Sequence, residues 1–258
     1  MAKPLILVTN DDGITAPGIR VLMEEMQQFG RVVVVAPHDP QSGMGHAITV
    51  NSPLRMNSFD LGNGIEAYSC TGTPVDCVKL GIYHILSQKP DLIVSGINHG
   101  ANMSINVLYS GTMSAAVEGA LEGIPSIGFS LLDHAYDADF SHCREVVKQV
   151  TKNALEKGIP ADTCLNVNIP KKSEEPLKGF RVCRQGKAYW EDEFEERRDP
   201  HKKPYYWLAG EFKSFDKGLD TDVHALQNNF VSIVPVMYDM TAHHAIQHLN
   251  DWNHDEEA

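Results

Sequence analysis

Short apolar runs alternate with amphipathic stretches along the first two thirds of the chain, and this alternation predicts the architecture. Leu5 to Thr9 reads as a buried strand. Ile19, Leu22, Met23, Met26 and Phe29 follow the i, i+3, i+4, i+7 spacing of a helix, with Gly30 where a C-terminal cap belongs. Arg31 to Ala36 is β-branched and halts at Pro37, predicting a second strand. Pro74 introduces a helical pattern through Val75, Val78, Ile82 and Leu86, followed by a strand over Asp91 to Ser95. Ala115 to Leu121 reads as helix, Ile124 to Ser130 as strand, Phe140 to Lys157 as helix closed by Gly158, and Thr163 to Ile169 as strand. Strands alternating with helices predict an α/β fold, a mostly parallel sheet with helices on both faces.

Beyond Pro170 the texture changes. Residues 171 to 218 are rich in charge and aromatics, with Tyr189-Trp190 and Tyr205-Tyr206-Trp207 flanking the polar run Glu191 to Lys203. This predicts a hairpin-like projection whose aromatics need a surface to bury against. Phe230 to Val234 predicts a strand stopped at Pro235, and Asp239 to Trp252 a polar terminal helix. The expected division is an α/β catalytic core over residues 1–180, then a hairpin arm, final strand and C-terminal helix over 181–258 that serve oligomerisation.

Composition narrows the setting. With 258 residues, 42% hydrophobic and 22% charged, the chain matches an ordinary soluble domain with a sizeable core. No apolar run approaches the roughly 20 residues of a bilayer span, and the N-terminus lacks a signal-peptide layout. The five cysteines are odd in number and scattered, which predicts reduced thiols in a cytoplasm, without disulfides or structural zinc. A net charge of −12 argues against polymeric nucleic acid as a partner. An acidic protein that handles an anion needs a local source of positive potential, a metal ion or a helix N-terminus.

Three glycine-bearing loops fall at the carboxyl ends of predicted strands, the edge where open α/β sheets place ligands. They are Asn10-Asp11-Asp12-Gly13 through Gly18, Ala36-Pro37 through Gly43 to His46, and Gly96 through Asn98-His99-Gly100-Ala101-Asn102, running on to Tyr109-Ser110-Gly111-Thr112. Adjacent carboxylates with a hydroxyl and an amide carbonyl form an oxygen-rich set suited to Mg²⁺, Mn²⁺ or Ca²⁺ and poorly suited to zinc. The blander reading of Asp11 and Asp12 is one helix cap and one solvated carboxylate. Ser110-Gly111-Thr112, just before a helix, can cradle a phosphate or simply cap that helix. The dinucleotide fingerprint G-x-G-x-x-G is missing from the first loop, and no P-loop motif occurs. His46 and His99 lie in the relevant loops and could touch substrate, donate a proton, or make only a loop hydrogen bond. His243, His244 and His248 read as a solvated helix face, and Cys70 and Cys77 as packing residues.

Val8-Thr9-Asn10-Asp11-Asp12-Gly13-Ile14 with Ala16-Pro17-Gly18, Ala36-Pro37 with Gln41-Ser42-Gly43, Thr71-Gly72-Thr73-Pro74-Val75-Asp76-Cys77-Val78, Ser95-Gly96-Ile97-Asn98-His99-Gly100-Ala101-Asn102 and Tyr109-Ser110-Gly111-Thr112 resemble the motifs of the SurE family, the stationary-phase survival nucleotidases. The resemblance runs from residue 5 to about residue 130. It implies a Rossmann-like core, oligomers (homodimer or homotetramer) built through exchanged C-terminal segments, and hydrolysis of nucleoside 5′- and 3′-monophosphates, with short polyphosphate as a further substrate. It places one divalent ion per subunit, Mg²⁺ or Mn²⁺ with Ca²⁺ as a crystal substitute, on Asp11, Asp12, Ser42 and Asn98. It puts Asn102, Ser110, Gly111 and Thr112 near the phosphate, with Asp11 and Asp12 catalytic. Where the family usually has a Gly and then an Asp after Asn102, this chain has Ser104-Ile105-Asn106. The rival expectation is a non-catalytic metal- or nucleotide-binding module.

Overall fold

A computed structural model describes residues 3–62, 64–135, 137–250 and 252. Its core is a nine-stranded sheet built on β1 (Leu5–Thr9), β2 (Arg31–Pro37), β3 (Met56–Ser58), β4 (Glu66–Cys70), β5 (Leu92–His99), β6 (Ser126–Leu131) and β7 (Thr163–Ile169), joined by β8 (Phe180–Val182) and β11 (Val231–Met237). The order is β3-β4-β2-β1-β5-β6-β7-β11-β8. The run from β4 to β7 is parallel, while β3 and β11 each pair antiparallel to their inner neighbours.

Alternation along β1 explains the two-sided covering. Ile6 and Val8 join the cluster containing Ile19, Leu22 and Met26 of helix α1 (Pro17–Met26) and Val146, Val147 and Val150 of α4 (Cys143–Lys157). Leu5 and Leu7 point the other way, to Cys77 and Val78 of α2 (Pro74–Leu80) and Ala115 of α3 (Gly111–Leu121). Because successive strand residues alternate faces, one apolar run supports both helical layers. Each fully buried Leu or Ile contributes about 1.5–3 kcal/mol of transfer free energy.

The predicted core elements are all present, with shifted limits. The pattern from Val75 to Leu86 is α2 plus a π-helical turn over Gly81–Ile85. Helix α3 begins at Gly111, four residues before its apolar pattern, and β5 runs on to His99. The short strands β3 and β8 and helix α5 (Asp222–Gln227) add elements that the apolar pattern had not predicted.

The predicted projection is a two-stranded antiparallel arm, β9 (Ala188–Arg198) and β10 (Pro204–Ser214). The last strand does not stop at Pro235. Strand β11 lies inside the main sheet and passes through that proline to Met237. Strand β8 pairs only with Val231 to Ile233, so Pro235 sits where β11 has a free edge and no donor is required. The terminal helix α6 covers His243–Asn250, later than the expected start at Asp239, and residue 251 of the expected span lies outside the described residues. Among the described residues no helix is long and apolar enough to cross a membrane.

Candidate active site

Strand order reverses between β1 and β5, and the loops after their carboxyl ends form the crevice expected at such a switch point. Asp11 and Asp12 leave β1 there, and Asn98 stands near the end of β5. Asp11 is 3% exposed. Its Oδ1 accepts from the Thr112 hydroxyl in the first turn of α3. Gly111 is required at the same junction, because a Cβ there would come within 2.7 Å of the Asp11 Cβ. Asp12 is half-buried, and its Oδ2 accepts from the His99 backbone N–H at 3.1 Å. Gln41 N–H donates to the Asp11 carbonyl at 2.7 Å, which holds the Ser42 loop against the β1 loop.

That second loop has its own anchors. Thr73 and Asp76 form a reciprocal capping box at the start of α2. The Asp76 carboxylate also accepts from the Thr49 N–H at 3.1 Å and the Thr49 hydroxyl at 2.6 Å. The Thr71-Gly72-Thr73-Pro74-Val75-Asp76 motif therefore fastens the loop that presents Ser42. His46 is a further anchor, 2.8 Å from Glu118, a carboxylate that also pairs with Lys79. Burial pushes the Glu118 pKa up, but these two partners outweigh it and hold the group below the ordinary value.

Asn98 Nδ2 donates to the Gly100 carbonyl at 2.7 Å, leaving Oδ1 without a hydrogen-bond partner among the described residues. Asn102 belongs to a buried amide network. Its N–H donates to Asn168 Oδ1 at 2.7 Å and its Nδ2 to the Ser130 hydroxyl at 2.8 Å, while Asn166 Nδ2 donates to its carbonyl at 2.8 Å. Sequence reasoning missed Asn166, Asn168 and Ser130. The signal was present in β7, where Leu-Asn-Val-Asn-Ile puts two amides on one face of an interior strand.

A cavity of about 360 Å³ gathers Asp11, Ser42, Asn98, Asn102 and Ser110, with His99 and His134 on its rim. Asp12, Gly111 and Thr112 lie outside its wall. Thr112 is fully buried behind Asp11, and the Ser110 hydroxyl accepts from Met113 N–H at 3.0 Å as the N-cap of α3. His99 presents its ring edge-to-face to Phe140 at 4.9 Å.

No lysine or arginine lines this cavity, and neither aspartate has an ion-pair partner among the described residues. Burial, and after it the charge of Asp12, push the Asp11 pKa up to about 6. Asp12 is also raised, chiefly by burial. Two adjoining carboxylates, one buried and one half-buried, without a protein cation fit a site for an external one. Among the described residues no trio of His, Cys, Asp or Glu gathers as a metal site, here or elsewhere. The donors here are carboxylate, hydroxyl and amide oxygens, a hard set that suits Mg²⁺ or Mn²⁺.

Fold and site together define an α/β protein with an acidic, oxygen-rich pocket at the switch point of its sheet. Residues 6–192 match the family described as Survival protein SurE. The chain is 61% identical over 254 residues to the 5'-nucleotidase SurE of Flavobacterium psychrophilum, covering 98% of this chain and 99% of that protein. It is 46% identical over 253 residues to that of Chlorobium limicola, covering 98% of each. The crystal structure of the SurE protein from Aquifex aeolicus superposes with a TM-score of 0.83 at 41% identity, covering 96% of this chain and 99% of that one. The chain belongs to the SurE family.

Proposed function

We propose that this chain is a metal-dependent phosphomonoesterase that hydrolyses nucleoside 5′- and 3′-monophosphates to nucleoside and phosphate, with short polyphosphate as a secondary substrate. The observation that carries the reading is the carboxylate pair Asp11–Asp12, the first buried and the second half-buried, without a protein cation beside the helix α3 N-terminus. Relatives of up to 61% identity over nearly the whole chain bear the name 5'-nucleotidase SurE. A nucleotide-binding module gains nothing from clustered negative charge beside a phosphate.

Asp11, Asp12, Ser42 and Asn98 would hold one divalent ion per subunit. That ion would supply Lewis-acid polarisation of the phosphoryl oxygens and a lowered pKa for the attacking water. Thr112 keeps the Asp11 carboxylate oriented and favours its charged form. The positive end of α3 would favour an anion in the pocket, and Asn102, locked by three hydrogen bonds, would stand beside it. His99 N–H holds Asp12 in place from the β5 side.

The enzyme works in the cytoplasm as a homodimer or homotetramer, without nucleic-acid or membrane partners. All five cysteines are free and buried, in keeping with a reducing compartment. Phe194, Tyr206, Trp207 and Leu208 stand exposed on the arm, in keeping with assembly through it.

The test is phosphate release from a panel of nucleoside monophosphates and short polyphosphate, with Mg²⁺ or Mn²⁺ and again with EDTA. Release that vanishes on chelation supports the reading. Turnover that persists undiminished in EDTA removes the metal, and no release with any metal removes the enzyme.

A further inference from the structure

A second cavity, of about 690 Å³, adjoins the first and shares Gly43, Tyr109 and Trp190 with it as common walls. Its lining is unlike the oxygen-rich pocket. Tyr109, Tyr189, Trp190, Ile105 and Leu208 give it aromatic and aliphatic walls, and Asp192 is its one charged group. A pocket of this size and character, opening from a phosphate site, has the composition of a subsite for a flat heterocycle.

Three features of this chain build it. Trp190 Nε1 donates to Asn106 Oδ1 at 2.7 Å, and Asn106 Nδ2 donates to the Ala101 carbonyl at 3.3 Å. Thus Asn106, one of the residues by which this chain departs from the usual family pattern, pins the arm's tryptophan to the loop beside Asn102. Trp190 is also held by an edge-to-face contact with Phe212, its cross-strand partner, at 5.7 Å. Two residues along β9, on the same face, Asp192 lies opposite Gly210. Gly210 has φ +148°, and a Cβ there would sit 2.6 Å from the Glu191 carbonyl oxygen. The glycine lets the two strands of the arm approach closely at Asp192.

Asp192 has no ion-pair partner among the described residues. Its neighbours Glu191, Glu195 and Glu196 pair with Lys213, Arg197 and Arg198 respectively. The Asp192 side chain makes no hydrogen bond among the described residues either, so a residue of the cavity wall keeps its acceptor capacity unused.

We infer that this cavity is the nucleobase subsite of the nucleotidase, with the base against Tyr109 and Trp190 and its edge on Asp192, and that it selects guanine. This rests on the proposed nucleotidase function. A carboxylate accepts two parallel hydrogen bonds from adjacent N–H groups. Among the common bases only guanine presents such a pair, at N1 and N2. Adenine and cytosine place a ring-nitrogen lone pair beside their amino group, and uracil flanks its single N–H with carbonyl oxygens. Those lone pairs would face the carboxylate, a repulsive element against the wrong base. Stacking on the aromatic walls is tolerant of base identity, so it contributes affinity and the carboxylate contributes choice.

The experiment compares kcat/KM for GMP, AMP, CMP, UMP and ribose 5-phosphate in the wild type, Asp192→Asn and Trp190→Leu. Calorimetric titration with guanosine and adenosine runs alongside. Asp192→Asn is isosteric at an exposed, unpaired position, so folding is not at issue. The wild type should prefer GMP to AMP by about tenfold, and Asp192→Asn should bring that ratio close to one. Trp190→Leu should lower kcat/KM for every nucleotide relative to ribose 5-phosphate, through KM. A GMP-to-AMP ratio unmoved by Asp192→Asn would overturn the assignment, as would a Trp190→Leu loss of equal size on ribose 5-phosphate. If the wild type released no phosphate, the nucleotidase reading would fall. The subsite would then stand or fall on calorimetry, through tighter binding of guanosine than adenosine that Asp192→Asn removes.

Discussion

Thr112 donates its hydroxyl hydrogen to Asp11, joining the first turn of helix α3 to the end of strand β1 across 101 residues of sequence. That one contact settles how the carboxylate is held. It also holds the buried Thr112 side chain behind Asp11, outside the cavity wall.

Thr112→Val should therefore act through Asp11. The isosteric change removes the donor that favours the charged carboxylate. Mn²⁺ affinity, read by titration, is expected to fall about 10- to 100-fold, the range for lost support behind a metal ligand. A variant with wild-type affinity would show that the contact is idle.

Asp12→Asn should lower kcat by at least about a hundredfold while the metal-free protein melts at the same temperature or higher. It deletes one of two adjoining like charges, so the fold loses a repulsion as the site loses a ligand. Steady-state assay and calorimetry on the same preparation check both halves.

The raised pKa of Asp11 sets a pH dependence for the metal-free protein. An acid whose folded pKa, about 6, exceeds its ordinary value of 3.8 binds its proton more tightly when folded. Its stabilising contribution is complete below about pH 4 and is lost as pH rises through about 6. In EDTA, Tm should fall across this window. With saturating Mg²⁺ the loss should be offset, so the two Tm curves diverge as pH rises. Parallel curves would contradict the placement of the ion.

Asn168→Ala should cost about 1–3 kcal/mol, because the buried Asn102 N–H loses its acceptor. Tm should fall by several degrees. Because Asn102 is then less firmly fixed, KM for nucleoside monophosphate should rise with it. A stability loss without any kinetic change would confine the amide network to folding.

Phe194→Glu combined with Trp207→Glu should convert the assembled protein to monomers. Both side chains are exposed in the isolated chain, at 66% and 59%, on opposite faces of the arm. Sedimentation at micromolar concentration distinguishes the outcomes, and an unchanged oligomer would exonerate the arm.

Much of this architecture was legible in the chain. Leu5 to Thr9 and Thr163 to Ile169 announce interior strands by apolar density, and the loops that follow β1, β2 and β5 advertise their chemistry through oxygen-bearing side chains next to glycine. Strands β3 and β8 were illegible because three-residue strands carry no period, and α5 because six residues span less than two turns. Pro235 misled because proline bars a strand only where its missing N–H would be needed. That depends on where β8 ends, a fact of tertiary pairing. In the site, type and order of residues disclosed the carboxylates and amides. Sequence could not disclose that Thr112 is turned inward, that His46 faces Glu118, or that the arm's Trp190 walls the pocket.

Ser104, another of the residues that depart from the family pattern, has φ +53° and is wholly buried. Its N–H donates to Asp222 at 2.7 Å and its hydroxyl to the Gly186 carbonyl at 2.6 Å, while Asp222 also accepts from Gly186 N–H at 2.8 Å. The loop between Asn102 and Ser110 is thus braced by residues 82 and 118 positions further along. During synthesis, a ribosome that has delivered the first two thirds of the chain has supplied every proposed metal ligand and none of this bracing. A nascent chain of that length holds the residues of the acidic pocket, but the loop between Asn102 and Ser110 acquires its scaffold only when the tail arrives.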